Sequence, residues 1–347
     1  MSSREKKLSL PEDSYLPEEL LTEILARLPS KTLLKFRSVC KTWCSLIDSS
    51  DFIKLYNNTS KTHYFIANGN VVHKGCIFTV RHIDTLMNIK IANNVRLPDS
   101  YSISGSCNGL ILLRNRSSSN EVLWNLVLGG FSPSSNDYKV LAIDKFRFHE
   151  VPIAVYSLVD RLWRVKPNQA NNSDWGLSSG FEYCEDDQFV SCRGVVYWIE
   201  SNFYYKAGVS QKLYLFNFDV EEFSVMQLPD AVKDSIVRFI FKHGESLAVF
   251  SMSSERSCIW VLEKDGGEDP WRLWFSGDPN SRVSKLFERS PVKTVYVQHS
   301  NTFLFKTSHA IMSYSIASNH ARTLGKKSMG CHSSLATYVE SLAKNHQ

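Results

Sequence analysis

The sequence predicts an α+β protein in two parts, a small N-terminal helical module followed by a large all-β body of propeller or large-barrel type. Three observations carry that prediction. Residues 15–56 crowd helix starts and apolar side chains at helical spacing. Beyond Tyr56 the pattern changes to short Val-, Ile-, Phe- and Tyr-rich segments cut by Gly, Asn, Asp, Ser and Pro. The third is size: 347 residues, 43% of them hydrophobic, suffice for one small module and one large domain.

The first helix is expected after Leu16. Pro17 suits an opening turn, where a missing N–H costs nothing, and Glu18 and Glu19 complement the positive helix end. Leu21, Ile24, Leu25 and Leu28 fall at i, i+3, i+4 and i+7, one apolar face that Pro29 terminates. Ser30 is placed to cap a short second helix with Leu33, Leu34 and Phe36. A third helix is expected with Val39, Trp43, Leu46 and Ile47 on one side. Ser50 and Asp51 then open a fourth, holding Phe52, Ile53, Leu55 and Tyr56. The adjacent pairs Leu20–Leu21, Ile24–Leu25 and Leu33–Leu34 widen the apolar surface beyond one seam. So small a module rarely buries enough surface to stand alone. Part of that surface is expected to face either the body of the same protein or a separate partner.

Asn57–Ser60 reads as a linker. Behind it, strands are expected at 63–67, 76–80, 109–113, 138–143, 153–158, 194–199, 212–218, 246–250, 258–263, 292–298 and 302–307. A faint repeat of aromatic-rich strand, turn and second strand recurs at 123–126, 155–165, 215–229, 259–275 and 312–324. Each copy fits one hairpin of a four-stranded blade. No long helical period is expected in this region, and a β body of this length exceeds one plain sandwich, which favours a propeller.

Charge and motifs narrow the function. The net charge of +5 is mild and scattered, which argues against a nucleic-acid surface. No apolar run is long enough to span a membrane. The opening MSSREKKLSLPED has no signal-peptide core, so a cytoplasmic or nuclear setting with reduced thiols is expected. The eight cysteines form no CxxC pair or zinc-ligand spacing, and Cys40 and Cys44, four apart, read as small core residues of a helix. HExxH, GxSxG and Walker patterns are absent. Gly105-Ser106-Cys107-Asn108-Gly109 sets a thiol between glycines, but without a partnered base it reads as a turn. Glu182, Glu185, Asp186 and Asp187 lack calcium-loop spacing, and Trp260, Trp271 and Trp274 read as hairpin core rather than a ligand shelf. No catalytic residue, metal or cofactor is assigned.

The segment LPEELLTEILARLPSKTLLKFRSVCKTWCSLI resembles the F-box motif in its plant form. The shared pieces are Leu16-Pro17, Glu23-Ile24-Leu25, Arg27-Leu28-Pro29, Lys31-Thr32-Leu33-Leu34, Phe36-Arg37, Val39-Cys40-Lys41 and Trp43, with Thr32 where the family usually has Ser. The body resembles the F-box-associated domain of plant F-box proteins, many of them kelch-repeat types. Its matching motifs, in family order, are SGSCNGLILL, LWN, NDYKVLAI, VYSLVDRLWRV, CRGVVYWI, FNFDVEEFSVMQLP, WVLEKDGGEDPWRLWF and LATYVESL. The resemblance divides the chain into a tail at 1–13, an F-box at 14–60, a β domain at 61–340 and a tail at 341–347.

The resemblance implies a non-catalytic substrate adaptor of an SCF ubiquitin ligase. The F-box would bind a Skp adaptor, which joins a cullin and a RING subunit, while the β domain holds a target protein for ubiquitination and degradation. Carried over by motif position, the Skp-docking residues are Leu16, Pro17, Leu20, Ile24, Leu25, Leu28, Pro29, Leu33, Leu34, Val39 and Trp43. Propeller-end loops bearing Trp175 and bearing Phe203, Tyr204 and Tyr205 are the expected target-binding regions. The rival expectations are a ligand-binding, for example glycan-reading, propeller and a Skp-bound protein outside SCF ligases. One departure matters. The family carries a longer stretch between LWN and DYKV, so one blade is expected to lack a strand or two.

Overall fold

The computed structural model describes residues 16–58, 63–68, 76–82, 96–97, 101–107, 110–115, 126–143, 153–166, 189–199, 212–232, 235, 237–263, 270–289, 293–297, 300–306, 311–325 and 335–339. The chain divides into two compact units, a helical one up to Thr62 and a β body over His63–Tyr338.

Four helices build the first unit: α1 (Glu18–Ala26), α2 (Ser30–Phe36), α3 (Lys41–Asp48) and α4 (Ser50–Asn58). Ser30 does not cap α2; Pro29 precedes it without a side-chain cap, and Ser30 is the first helical residue. α3 opens at Cys40, whose Sγ accepts the Trp43 N–H at 3.5 Å. Cys40 is therefore an exposed cap, not the core residue its spacing suggested, and Cys44 is half-buried. Ser49 serves both neighbouring helices. Its Oγ donates to the Leu46 carbonyl at 2.8 Å and accepts the Phe52 N–H at 3.2 Å, satisfying one otherwise orphaned donor at the start of α4.

Leu25, Ala26, Leu33, Ile47, Phe52 and Tyr56 form the buried core of the module, with Phe36 and Trp43 packed against it at 5.3 Å between rings. Arg37 pairs with Asp48 at 2.8 Å and ties the end of α2 to α3. Hydrogen bonding to that carboxylate raises the guanidinium pKa above its ordinary value.

The described strands of the body fall into six sheets. Four sheets each take four consecutive antiparallel strands. The first of these holds β6 (Leu126–Ser132), β7 (Asp137–Ile143), β8 (Ile153–Ser157) and β9 (Leu162–Lys166). The next has β10 (Phe189–Cys192), β11 (Val195–Ile199), β12 (Lys212–Asn217) and β13 (Glu222–Gln227). Then come β14 (Val237–His243), β15 (Ser246–Met252), β16 (Ser257–Leu262) and β17 (Trp271–Gly277). The last of the four has β18 (Lys293–Val297), β19 (Thr302–Lys306), β20 (Ile311–Ser315) and β21 (His320–Gly325). A two-stranded sheet, β4 (Tyr101–Cys107) with β5 (Leu110–Asn115), precedes them. The sixth sheet joins the two ends of the body: β22 (Leu335–Val339) pairs with β1 (His63–Asn68), followed by β2 (Cys76–His82) and β3 (Arg96–Leu97).

Edge strands of neighbouring sheets lie side by side, β4 by β6, β6 by β10, β10 by β14 and β14 by β18. Successive sheets therefore follow one another around an axis, the arrangement of a propeller. The stretch between LWN and DYKV does not remove strands from the sheet it opens. That sheet, β6–β9, is complete, and the one with two described strands comes before it. The aromatic repeat marks outer hairpins: 155–165, 215–229, 259–275 and 312–324 are β8–β9, β12–β13, β16–β17 and β20–β21. Three of these hairpins close on a residue with positive φ, Arg161, Glu221 and Asn319. A fifth helix, α5 (Ser281–Arg289), interrupts the all-β pattern. Asn280 caps it, its Oδ1 accepting the N–H groups of Arg282 and Val283, while Val283, Leu286 and Phe287 pack on the core.

The core lies in seams between successive sheets. Leu141 and Val155 meet Val196, Trp198, Tyr214, Phe216 and Phe218. Cys192, Leu213 and Leu228 meet Ile240, Val249 and Trp271. Phe239 and Phe250, stacked at 4.9 Å, meet Phe303, Phe305 and Tyr314.

A polar latch reinforces the first of these seams. Lys139 Nζ donates to the Phe218 carbonyl at 2.9 Å and pairs with Glu221 at 3.0 Å, and Arg164 reaches the same Glu221 oxygen at 2.6 Å. Gly130 is what lets the two sheets approach, since a Cβ there would fall 2.2 Å from the Phe218 ring. Asp219 accepts hydrogen bonds from Ser132 Oγ, Ser134 Oγ and the Ser134 N–H. Burial opposes the Asp219 charge, but those donors and Lys139 outweigh it and hold the carboxyl below its ordinary pKa. The sign follows. A carboxylate favoured in the folded state stabilises the fold above the usual Asp range near pH 4, and that contribution is lost as pH falls through the lower folded value. Asp219→Asn should therefore flatten the acid limb of stability, measured as the loss of thermal midpoint from neutral pH to about pH 3. An unchanged acid limb in the variant would refute the role given to Asp219.

Candidate functional site

On α1 the apolar surface splits into two stripes. Leu21, Leu25 and Ala26 turn toward the module core. Leu20 and Ile24 on the helix and Leu16 just before it, spaced by four, stand 49%, 50% and 49% exposed. Ile24 thus leaves the face that the i, i+3, i+4 pattern gave it. On α2 Leu33 is fully buried while its neighbour Leu34 is exposed. Val39 sits in the turn after α2 instead of on α3, and it too is exposed.

Of the residues that the sequence assigned to docking, Leu16, Pro17, Leu20, Ile24, Pro29, Leu34 and Val39 offer surface. Leu28 and Trp43 are half-buried against the core. Leu25 and Leu33 are core residues with no surface to offer, because adjacent positions on a helix point about 100° apart and only one of each apolar pair can face outward. Leu55 of α4, not assigned to docking from the sequence, joins the exposed set.

The density of these side chains separates the module from an ordinary surface. Among the described residues, six of the fifteen exposed large hydrophobic side chains belong to this one small unit. Concentrated exposed apolar side chains on so small a unit are the kind of surface that protein partners cover. Polar groups at its edge contribute little: Arg27 and Glu23 lie 3.8 Å apart and both are largely exposed, a pairing of small energetic weight.

The other candidates disperse. Trp175, Phe203, Tyr204 and Tyr205 lie outside the described residues, as do Glu182, Glu185, Asp186 and Asp187. Gly105, Ser106 and Cys107 end β4, where the ladder to β5 shifts register, and Asn108 and Gly109 are again outside the described residues. The three tryptophans do not make one shelf. Trp271 is buried and donates its indole N–H to the Gln227 carbonyl at 2.9 Å, with Trp260 packed in the same core. Trp274 is exposed and lies 4.5 Å from the His243 ring, whose burial lowers the imidazole pKa. No helix among the described residues is long and apolar enough to cross a membrane.

Comparison with known proteins accounts for both units. The F-box domain matches residues 14–55, and the F-box associated beta propeller domain matches residues 126–344, more than half of the chain. An F-box/kelch-repeat protein of Arabidopsis thaliana is 23% identical over 297 residues, covering 74% of this chain and 78% of the relative. A second Arabidopsis thaliana protein named for the same two features is 24% identical over 311 residues, covering 76% and 73%. Among solved structures, an oligogalacturonate lyase in complex with manganese aligns over 76% of this chain and 78% of its own, with a TM-score of 0.38 and 9% identity. That likeness is too low to support any argument. Family match, relatives and the order of helices and sheets agree: the chain belongs to the F-box proteins that carry an F-box associated beta propeller domain.

Proposed function

We propose that the chain is a substrate-recognition adaptor of an SCF-type ubiquitin ligase. Its F-box docks on a Skp adaptor, and through it on cullin and RING subunits, while the β body holds a target protein for ubiquitination and degradation. The observation that carries this reading is the half-exposed set Leu16, Leu20, Ile24, Leu34 and Val39, set on a module whose own core is already filled, within the segment matched by the F-box family. The chain's contribution is then proximity. Holding a target's lysines beside a ubiquitin-charged enzyme replaces a bimolecular encounter with an effectively intramolecular one. The setting that fits such work is the cytoplasm or nucleus.

Co-purification of the full chain with a plant Skp adaptor tests the reading. A Leu20→Asp, Leu34→Asp variant should lose capture by about a hundredfold or more, because a carboxylate desolvated in an apolar interface costs several kcal/mol. Both side chains are about half exposed in the chain itself, so the variant should keep the parent's helical content and melting curve. Leu33→Asp, by contrast, should melt the module. A parent chain that fails to bind Skp, or a double variant that binds as well as the parent, would sink the proposal.

A further inference from the structure

The docking set Leu16, Leu20, Ile24, Leu34 and Val39 is apolar, and apolar contact alone does not fix which way round a partner sits. Charged groups at the rim supply that information. Two ion pairs of the module are already closed on themselves, Arg27 with Glu23 and Arg37 with Asp48. The other described charges of α1 to α3 divide by element. Glu18 and Glu19 stand exposed in the first turn of α1, and Lys35 and Lys41 stand exposed on either side of the α2–α3 turn. Lys35 follows Leu34, and Lys41 is two residues from Val39. From Ser30 to Ile47 the chain holds Lys31, Lys35, Arg37 and Lys41 and no acid.

Three of these four charges have a local reason for their place. Glu18 and Glu19 complement the positive end of α1, and Lys35 suits the negative end of α2, in whose last turn it lies. Lys41 has none. It is the first residue of α3, where the positive helix end repels a cation, and no acid in that turn offsets it. Other helices avoid the conflict. α4 opens with Asp51, and on α5 the first-turn Arg282 donates to the Ala321 carbonyl at 2.9 Å. A local rule broken without a compensating contact inside the chain is expected where a residue serves function.

We propose that Lys41, supported by Lys35, binds a carboxylate-bearing segment of the Skp adaptor and so fixes the orientation in which that partner covers Leu34 and Val39. A seating turned end for end would bring the same carboxylate toward Glu18 and Glu19, and like charges in contact repel. The inference rests on the adaptor reading for the identity of the partner.

The test follows binding of the full chain to a purified plant Skp adaptor by biolayer interferometry, at about 50 and about 500 mM salt. The parent's on-rate should fall as salt rises. Lys41→Glu should lose about tenfold or more in affinity, mostly through the on-rate, and Lys41→Gln should lose less. The same Lys41→Glu change should hold or raise the thermal midpoint of the module, because an acid suits the start of α3. Binding and helix stability then move in opposite directions, which a merely structural role for Lys41 would not give. Lys285→Glu, at an exposed position of α5 in the other unit, changes net charge equally and should bind as the parent does. Among Skp variants that each carry one surface Asp or Glu changed to Lys, one should restore binding to Lys41→Glu. The inference is overturned if Lys41→Glu binds as the parent does or loses its midpoint along with its binding. It is also overturned if Lys285→Glu weakens binding as much, or if no Skp change rescues Lys41→Glu. In each of those cases the parent still captures Skp and the adaptor reading stands, whereas a parent that captures none removes both.

Discussion

Deleting residues 335–347 is expected to unfold the β body, whereas deleting 341–347 alone should leave it intact. The shorter deletion spares β22, and the longer one removes it. Without β22, β1 becomes an edge strand, and the sheet that joins the two ends of the body is left with β1–β3. The loss spreads beyond one strand because stability lies in seams between sheets, and an open ring exposes the outer faces of its first and last members. The expected cost is about 5 kcal/mol or more, comparable with the whole stability of a typical domain. In urea the parent should show a cooperative transition that the 335–347 deletion lacks. Supplying 335–347 as a separate peptide should restore part of it. A deleted chain that unfolds at the parent's midpoint would show that β22 does not hold the ring.

Glu221→Gln should be the most damaging single change at the seam between the β6–β9 and β10–β13 sheets. The side chains of Lys139 and Glu221 are 7% and 9% exposed, and removing the carboxylate leaves a buried ammonium facing a neutral amide. Breaking a buried pair from one side costs about 3–5 kcal/mol, whereas replacing both members with uncharged groups of similar volume is often neutral. The double variant Lys139→Met, Glu221→Gln should therefore recover most of the stability lost in the single one. Arg164 keeps Asp160 in either case. Urea midpoints and slopes decide the matter. A single variant within about 1 kcal/mol of the parent would mean that water already reaches Lys139.

Much of this architecture is legible in the sequence because it is local. Hairpins such as Val155–Val165 and Leu215–Met226 announce themselves by β-branched and aromatic residues around a four-residue turn. The helical module is legible for the same reason. What escaped is non-local or balanced between two local readings. Ile24 and Leu25 satisfy a helical period equally well, and only the positions of the other helices decide which one turns inward. Asp137 and Lys139 alternate with apolar residues as if facing solvent, yet both are buried. Asp137 accepts hydrogen bonds from Ser157 and Val159 of the β8–β9 hairpin in its own sheet, and Lys139 reaches Phe218 and Glu221 of the next. α5 carried a usable signal, Asn280 before Val283, Leu286 and Phe287 at i, i+3 and i+4, but three apolar residues in a polar stretch are easily read as loop. The pairing of Leu335–Val339 with His63–Asn68 leaves no mark in either segment.

That last pairing has a consequence in time. About 270 residues separate His63 from Leu335, and chains are synthesised at about 5–20 residues per second. On the ribosome, β1 is therefore made about 14 to 54 seconds before the strand that completes its sheet. Throughout that interval β1 lacks the strand that completes its sheet, and pairing with the wrong chain competes with waiting for the right one. Chaperone supply during synthesis, more than the stability of the finished ring, should then set how much of this protein a cell accumulates.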